Sequence, residues 1–405
     1  MNQKRFLALC CGLAMLLGGC TNLRQGKPNA EQSGQLVLLP ENEKTEESER
    51  GFSFSEEEMQ QLLTQSATAL PAAVTALPQS SAQYDPALAK QALSFCAGYT
   101  KAQQAQLFEA LGFTVLQQGN YEKDAADPGH TAAYTLAKGR AMCGQRQTDL
   151  LVLSIRGTNG GEWFSNIDVA PSQSEKTKFA ENFLLAAQQI FAATFDLIRA
   201  QNCPVLICGH SRGGACANLL AYFLSESIGA EQVYGYTFAA AATVRGSGDE
   251  FSSANIFNCI STADLVPYVP LAAWGYRHIG TDIVLQADKA MTQKTKERIA
   301  VFEQLAPDLS SYYTVRHSLD GAGEAENGIT TFSLLYAALC TRIGQADASL
   351  QGAAELDLSL ISDASDFAPL VGLWQELTRQ EGAGLLELAK QHMPASYDAL
   401  IDGQN

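Results

Sequence analysis

Val205 to Leu224, VLICGHSRGGACANLLAYFL, constrains this chain more than any other stretch. Val205-Leu206-Ile207-Cys208 is an apolar run with the length of a buried strand rather than a helix. Gly209-His210-Ser211-Arg212-Gly213 follows as a G-x-S-x-G, and then Ala215, Leu219, Leu220 and Phe223 recur at helical spacing. Strand, sharp turn and helix in that order are the context of a nucleophile elbow. Glycine is needed at 209 and 213 because the serine's backbone is strained and neighbouring elements come close. Such a turn exposes the Ser211 hydroxyl and aims a helix N-terminus at a reacting carbonyl. The N–H of Arg212 then helps to hold an oxyanion. A tight strand-to-helix turn without chemistry has the same local pattern, so the rest of the chain must choose between them.

The ends carry a different signal. Lys4 and Arg5 precede an apolar run of twelve residues, Phe6 to Leu17, short for a membrane span and suited to a secretory signal. It closes on Leu17-Gly18-Gly19-Cys20, which resembles the lipobox of bacterial lipoproteins. That resemblance implies cleavage after residue 19, acylation of Cys20 and anchorage on the extracytoplasmic face of a membrane. An ordinary secretory signal with an incidental cysteine is the alternative. Residues 20–58 are polar and turn-rich, and Glu41 to Glu58 is acidic, which predicts a flexible tether.

The 43 acidic against 27 basic residues give a net charge of −16, which argues against a nucleic-acid partner. Beyond Cys10, Cys11 and Cys20 there are seven cysteines, an odd number set partly in apolar runs. They suit buried hydrophobes better than a disulfide framework, and no His/Cys spacing suits a metal. Neither metal nor cofactor is expected.

Along the chain, Asp85-Pro86 opens one helix and Thr100 another, closed at Gly112. Thr131 to Met142, the turn at Gly144 and Asp149 to Ile155 predict a hairpin that leads into a central strand. Phe183 to Ile198 predicts a helix, and Gln232 to Ala242 and Asn255 to Ile260 predict strands. This alternation predicts a mostly parallel α/β sheet flanked by helices. The main domain is expected over 59–330. A helical extension over 331–405, with Phe332 to Ile343 and Phe367 to Leu388 as its main pieces, carries no recognisable chemical motif.

A nucleophilic serine needs a base and a carboxylate that orients it. Asp264 follows the strand predicted at Asn255 to Ile260, 53 residues after Ser211, at the strand end where parallel sheets place ligands. Of the five histidines, His278 and His317 follow Ser211 and precede the tail; spacing alone does not separate them. His392 sits in the tail, the least expected place for the base.

Several segments, in order, resemble the class 3 lipase family of fungal triacylglycerol lipases and bacterial relatives. Leu153-Ser154-Ile155-Arg156-Gly157-Thr158 with Trp163 resembles its R-G-[ST] strand end, and Gly209 to Gly214 resembles its G-H-S-x-G-G. Asp264 to Pro270 resembles D-x-V-P-x-x-P, Gly275 to His278 resembles G-Y-x-H, and Arg316-His317-Ser318 resembles the late segment that carries the base. The likeness spans roughly residues 132 to 319. It implies an α/β-hydrolase fold and cleavage of lipid or other carboxylic esters through an acyl-enzyme. It implies Ser211 as nucleophile, Asp264 as acid, His317 as base, and an oxyanion hole from Thr158 and Arg212. It also implies a lid over Asn159 to Ile167, where Trp163 and Phe164 would face lipid; a rigid loop with a buried tryptophan is the alternative. Arg212, Asn166, Arg316 and Ala239-Ala240-Ala241 depart from the family's usual residues. A surface binding protein on the same scaffold, and an anchor whose acidic segment recruits a basic partner, are the readings from other classes.

Overall fold

The computed structural model describes residues 75–121, 131–157, 178–246, 251, 253–305, 308–309 and 390–403. The predicted leader, Cys20 and the tether lie outside these residues, as do the segments 332–343 and 367–388.

Strand β1 (Thr75–Leu77) leads to helix α1 (Pro86–Ser94). As its sequence requires, Asp85 caps this helix by accepting the Leu88 N–H, with Pro86 at the first turn. Helix α2 (Lys101–Ala110) begins in a capping box between Thr100 and Gln103, and Gly112 follows its end at φ +79°. Then come β2 (Thr114–Gly119), β3 (Tyr134–Cys143) and β4 (Arg146–Ile155). Strands β3 and β4 pair antiparallel through the tight turn at Gly144, as the sequence predicts.

The remainder alternates. Helix α3 (Glu181–Gln201), β5 (Val205–His210), α4 (Arg212–Ile228), β6 (Val233–Phe238), β7 (Val244–Arg245) and β8 (Ile256–Ser261) follow. After them come β9 (Tyr276–Arg277), β10 (Thr281–Leu285), α5 (Lys289–Leu305) and finally α6 (Pro394–Asp402).

The large sheet runs β1-β3-β4-β5-β6-β8-β10, with β2 also on β3, and every pairing from β4 to β10 is parallel. Strands β5, β6 and β8 are buried at every position. Both faces must therefore be covered, which is why these strands are mostly apolar, and the buried polar pair inside them, Thr237 and Asn258, is hydrogen-bonded at 2.8 Å. One face carries α3 and α4, whose Phe183, Ala187, Ile190, Leu219 and Leu220 join a core with Leu151, Leu153, Val205 and Ile207. The other carries α1 and α6, where Leu88, Phe95, Tyr397 and Ile401 pack with Leu206, Tyr236 and Phe257. This parallel sheet between helices, with a serine turn at the end of β5, is an α/β-hydrolase fold. Helix α3 is long and apolar enough to cross a membrane by length and composition, but its apolar stripe belongs to the core. Cys208, Cys216 and Cys259 are buried, free thiols.

Candidate active site

The sequence makes Ser211 the joint between β5 and α4, and its backbone takes φ +58°, ψ −128°. A serine held at such angles is strained by about 1–3 kcal/mol, so its surroundings must enforce them. They do so by proximity. A β-carbon on Gly209 would lie 2.1 Å from the Gly213 carbonyl oxygen, and one on Gly213 would lie 2.3 Å from that of Ile155. The Ser211 N–H donates to the Phe238 carbonyl at 2.9 Å, which fixes the elbow to the end of β6.

The end of β4 reaches the same place. A β-carbon on Gly157 would stand 3.8 Å from Cβ of Ser211 and 3.3 Å from the His210 carbonyl oxygen. Thr158 itself lies outside the described residues, so only its predecessor is located beside the nucleophile. The side chain of Arg212 is buried and turned into the protein. Its Nη2 donates to the carbonyls of Thr131 at 3.2 Å and Asn182 at 3.4 Å, and its guanidinium lies over Phe183. The Arg212 side chain thus ties the elbow to the segments that carry Thr131 and Asn182.

Asp264 follows β8 and is 1% exposed. Its Oδ1 accepts the Val266 N–H at 3.0 Å. Its Oδ2 accepts from Nδ1 of His392 at 2.8 Å and from the Tyr397 hydroxyl at 2.7 Å. The phenolic oxygen in turn accepts the Ser261 N–H at 3.2 Å. Burial, followed by the nearby Asp264 charge, pushes the Tyr397 phenol well above its ordinary pKa, so it remains a donor.

His392 is fully buried. Because Nδ1 donates to the carboxylate, the neutral ring leaves its lone pair on Nε2, and that nitrogen has no hydrogen-bond partner among the described residues. The main-chain carbonyl of His392 accepts from Nε2 of His210 at 2.7 Å, and the two rings lie 4.8 Å apart. Burial, and secondarily the neighbouring His392, pushes His210 down to about 3, so it is a neutral donor.

The expected base, His317, lies outside the described residues. The histidine on Asp264 is the one that sequence reasoning ranked last. The tail, which carries no recognisable chemical motif, supplies both His392 and Tyr397 to the carboxylate. Two signals point there: His392 keeps the Ser, Asp, His chain order, and Met393-Pro394 marks a helix start directly after it. His278 is elsewhere, spanning Asp282 Oδ1 at 3.1 Å and the Ala240 carbonyl at 2.9 Å. It ties β10 to the loop after β6.

A strained serine after β5, at a helix N-terminus, and a buried Asp–His pair whose carboxylate follows β8, two strands along the sheet, form the parts list of acyl transfer. Residues 152–274 match the class 3 lipase family. This segment contains Ser211 and Asp264 and ends before either histidine in question. No curated protein matches the chain. Among solved structures, the chain is similar to a Rhizomucor miehei lipase propeptide complex, with 17% identity and a TM-score of 0.38. That alignment covers 48% of this chain and 65% of the other, so the chain spans just under two thirds of its length. A lipase from Rhizopus microsporus var. chinensis has 18% identity over 51% of this chain and 77% of its own, with a TM-score of 0.38. A Rhizomucor miehei triacylglyceride lipase has 17% identity over 48% and 77%, with a TM-score of 0.37.

Proposed function

We propose that the chain is a serine hydrolase that cleaves carboxylic esters, with lipid esters as its substrate class. The observation that carries this reading is the buried 2.8 Å contact between His392 and Asp264, on the same sheet that strains Ser211. The class 3 lipase match over 152–274 supports the ester chemistry.

In this reading Nε2 of His392 takes the Ser211 hydroxyl proton as Oγ bonds to the ester carbonyl carbon. The oxyanion is held by the N–H groups of Arg212 and Thr158. Loss of one such donor typically costs about 100- to 1000-fold in rate. Asp264 holds the imidazolium, which passes its proton to the departing alkoxide as the ester bond breaks. Water then gives a proton to His392 and attacks the acyl-enzyme, releasing the acid and restoring Ser211.

His317 is the rival base, favoured by the family-like segment Arg316-His317-Ser318. Protein lacking residues 1–20, treated with a fluorophosphonate and mapped by peptide mass spectrometry, separates the two. Labelling at Ser211 that is lost in His392→Ala and kept in His317→Ala is expected. The reverse pattern would return the base to His317, and absence of labelling in folded protein would favour a binding role.

The lipobox-like Leu17-Gly18-Gly19-Cys20 supports a lipid anchor on the extracytoplasmic side of a bacterial membrane. Bacteria fed radiolabelled palmitate should label the protein, and Cys20→Ser should abolish that label. Retention of label would exclude Cys20 as the acylated residue.

A further inference from the structure

We infer that His210 is a positioning residue that sets the catalytic base against the nucleophile, an inference that rests on His392 being that base. In a G-x-S-x-G the residue before the serine has no assigned chemical task. Here its imidazole reaches a segment 182 positions away and donates from Nε2 to the main-chain carbonyl of His392 at 2.7 Å.

That carbonyl belongs to the chain just before α6. Met393, the residue at the start of the helix, has no side-chain cap; the Met393 N–H and the Ser396 hydroxyl both donate to the Lys390 carbonyl, bonds that shape the turn but stay within it. The ring of His392 makes one hydrogen bond among the described residues, through Nδ1 on Asp264, and Nε2 has no partner among them. One hydrogen bond sets the direction of Nδ1, and the position of the buried ring then depends on its packing and on the backbone that carries it. The His210 contact supplies the second point by fixing the backbone from which the ring projects. Because His210 immediately precedes Ser211 at the end of β5, nucleophile and base are referenced to one rigid strand.

The contact is also suited to permanence. His210 is buried between the rings of His392, 4.8 Å away, and Tyr397, 6.2 Å away. As a neutral ring that gives its N–H to a carbonyl, it competes with neither the Ser211 proton nor the Asp264 charge. The cost of losing the contact falls on alignment, where a displacement of about 1 Å can lower a rate by about 100-fold.

The test compares His210→Phe and His210→Met, which fill the ring volume without the donor, with His210→Gln, which restores an N–H. Each is assayed with p-nitrophenyl butyrate, and turnover is expressed per active site titrated with a chromogenic phosphonate. The donor-less variants should lose about 10- to 100-fold in kcat with KM within about twofold, and Gln should recover most of the loss. Either donor-less variant suffices if the other fails to fold. A purely structural role would lower the titratable fraction and the melting temperature while leaving kcat per site at the parental value, and that result overturns the inference. His392→Ala in the same assay keeps the two claims apart. If it is inactive beside a fully active His210→Phe, only the positioning role fails. If it turns over normally, the base assignment and the positioning role fail together.

Discussion

The phenol of Tyr397 donates to Oδ2 of Asp264 over 2.7 Å, and that same oxygen receives the Nδ1–H of His392. Two donors on one buried oxygen make the carboxylate's direction independent of the histidine. Tyr397→Phe removes one of them and leaves the Ser261 N–H without the acceptor it uses now. A buried group left unpaired costs about 1–3 kcal/mol. The expected outcome is an unfolding free energy in urea lowered by that amount and a fall of several-fold in kcat. A variant with parental stability would mean that water takes over the role of the hydroxyl.

Ser211 sits at φ +58°, ψ −128°, where a side chain is strained and glycine is not. Ser211→Ala and Ser211→Gly should both be inactive, and they should differ in stability. Glycine relieves about 1–3 kcal/mol of strain, less roughly 0.5–1 kcal/mol of its own entropy. The glycine variant should therefore melt above the alanine variant. Equal melting temperatures would show that the elbow is unstrained.

Gly213 tests how closely β4 holds the elbow. Its missing β-carbon would meet two backbone oxygens, those of Ile155 at 2.3 Å and Arg156 at 2.6 Å. Backbone cannot turn aside as a side chain can. Gly213→Ala should cost more than about 3 kcal/mol, the scale of severe overpacking, and yield little soluble protein. A well-folded, active Gly213→Ala would contradict the tight junction between β4 and α4.

At the far end of α6, Lys90 pairs with Asp402 at 2.6 Å and Asp398 at 3.4 Å from the neighbouring helix α1. These side chains are between 28% and 59% exposed, so the pairs are worth at most about 1 kcal/mol. Lys90→Ala should leave ester hydrolysis within about twofold at 0.15 M salt. Removal of residues 394–405 should abolish it, because Tyr397 and Ile401 leave the core. If Lys90→Ala were as damaging as the truncation, the docking of α6 would be electrostatic.

The parts of this site that were legible in the sequence are those with local signatures. Ser211 announces itself through an apolar strand, two glycines and an amphipathic helix, all within twenty residues. Asp264 follows from the rule that a carboxylate at a strand end is well placed. Asp85 and Thr100 predict their helices because capping is decided within three residues. His392 has only its place in the chain order and the helix start after it, neither of which marks a base. Its partner is 128 positions away, and what makes it a candidate is burial beside a carboxylate, which no local pattern encodes. His317 drew the assignment because a family-like tripeptide surrounds it. Strand β10 was missed for another reason: its burial is irregular, with Asp282 and Val284 outward at a sheet edge, so its period is weak.

The buried state of His210 gives a prediction with a definite sign. Burial first, and His392 second, depress its pKa from 6.5 to about 3. Between these values the unfolded chain binds a proton that the folded chain refuses. Stability from this group is therefore complete above about pH 6.5 and is lost as pH falls toward 3, by up to about 1.4 kcal/mol per pH unit. In His210→Gln that slope is absent, while every other titrating group is retained. Urea midpoints at pH 7, 6, 5 and 4 should thus diverge, the parent losing stability faster than the variant below pH 6. Parallel curves would mean that His210 takes up its proton in the folded protein. It would then face His392 as a cation, and a cation at that distance would oppose the imidazolium on which the proposed reaction depends.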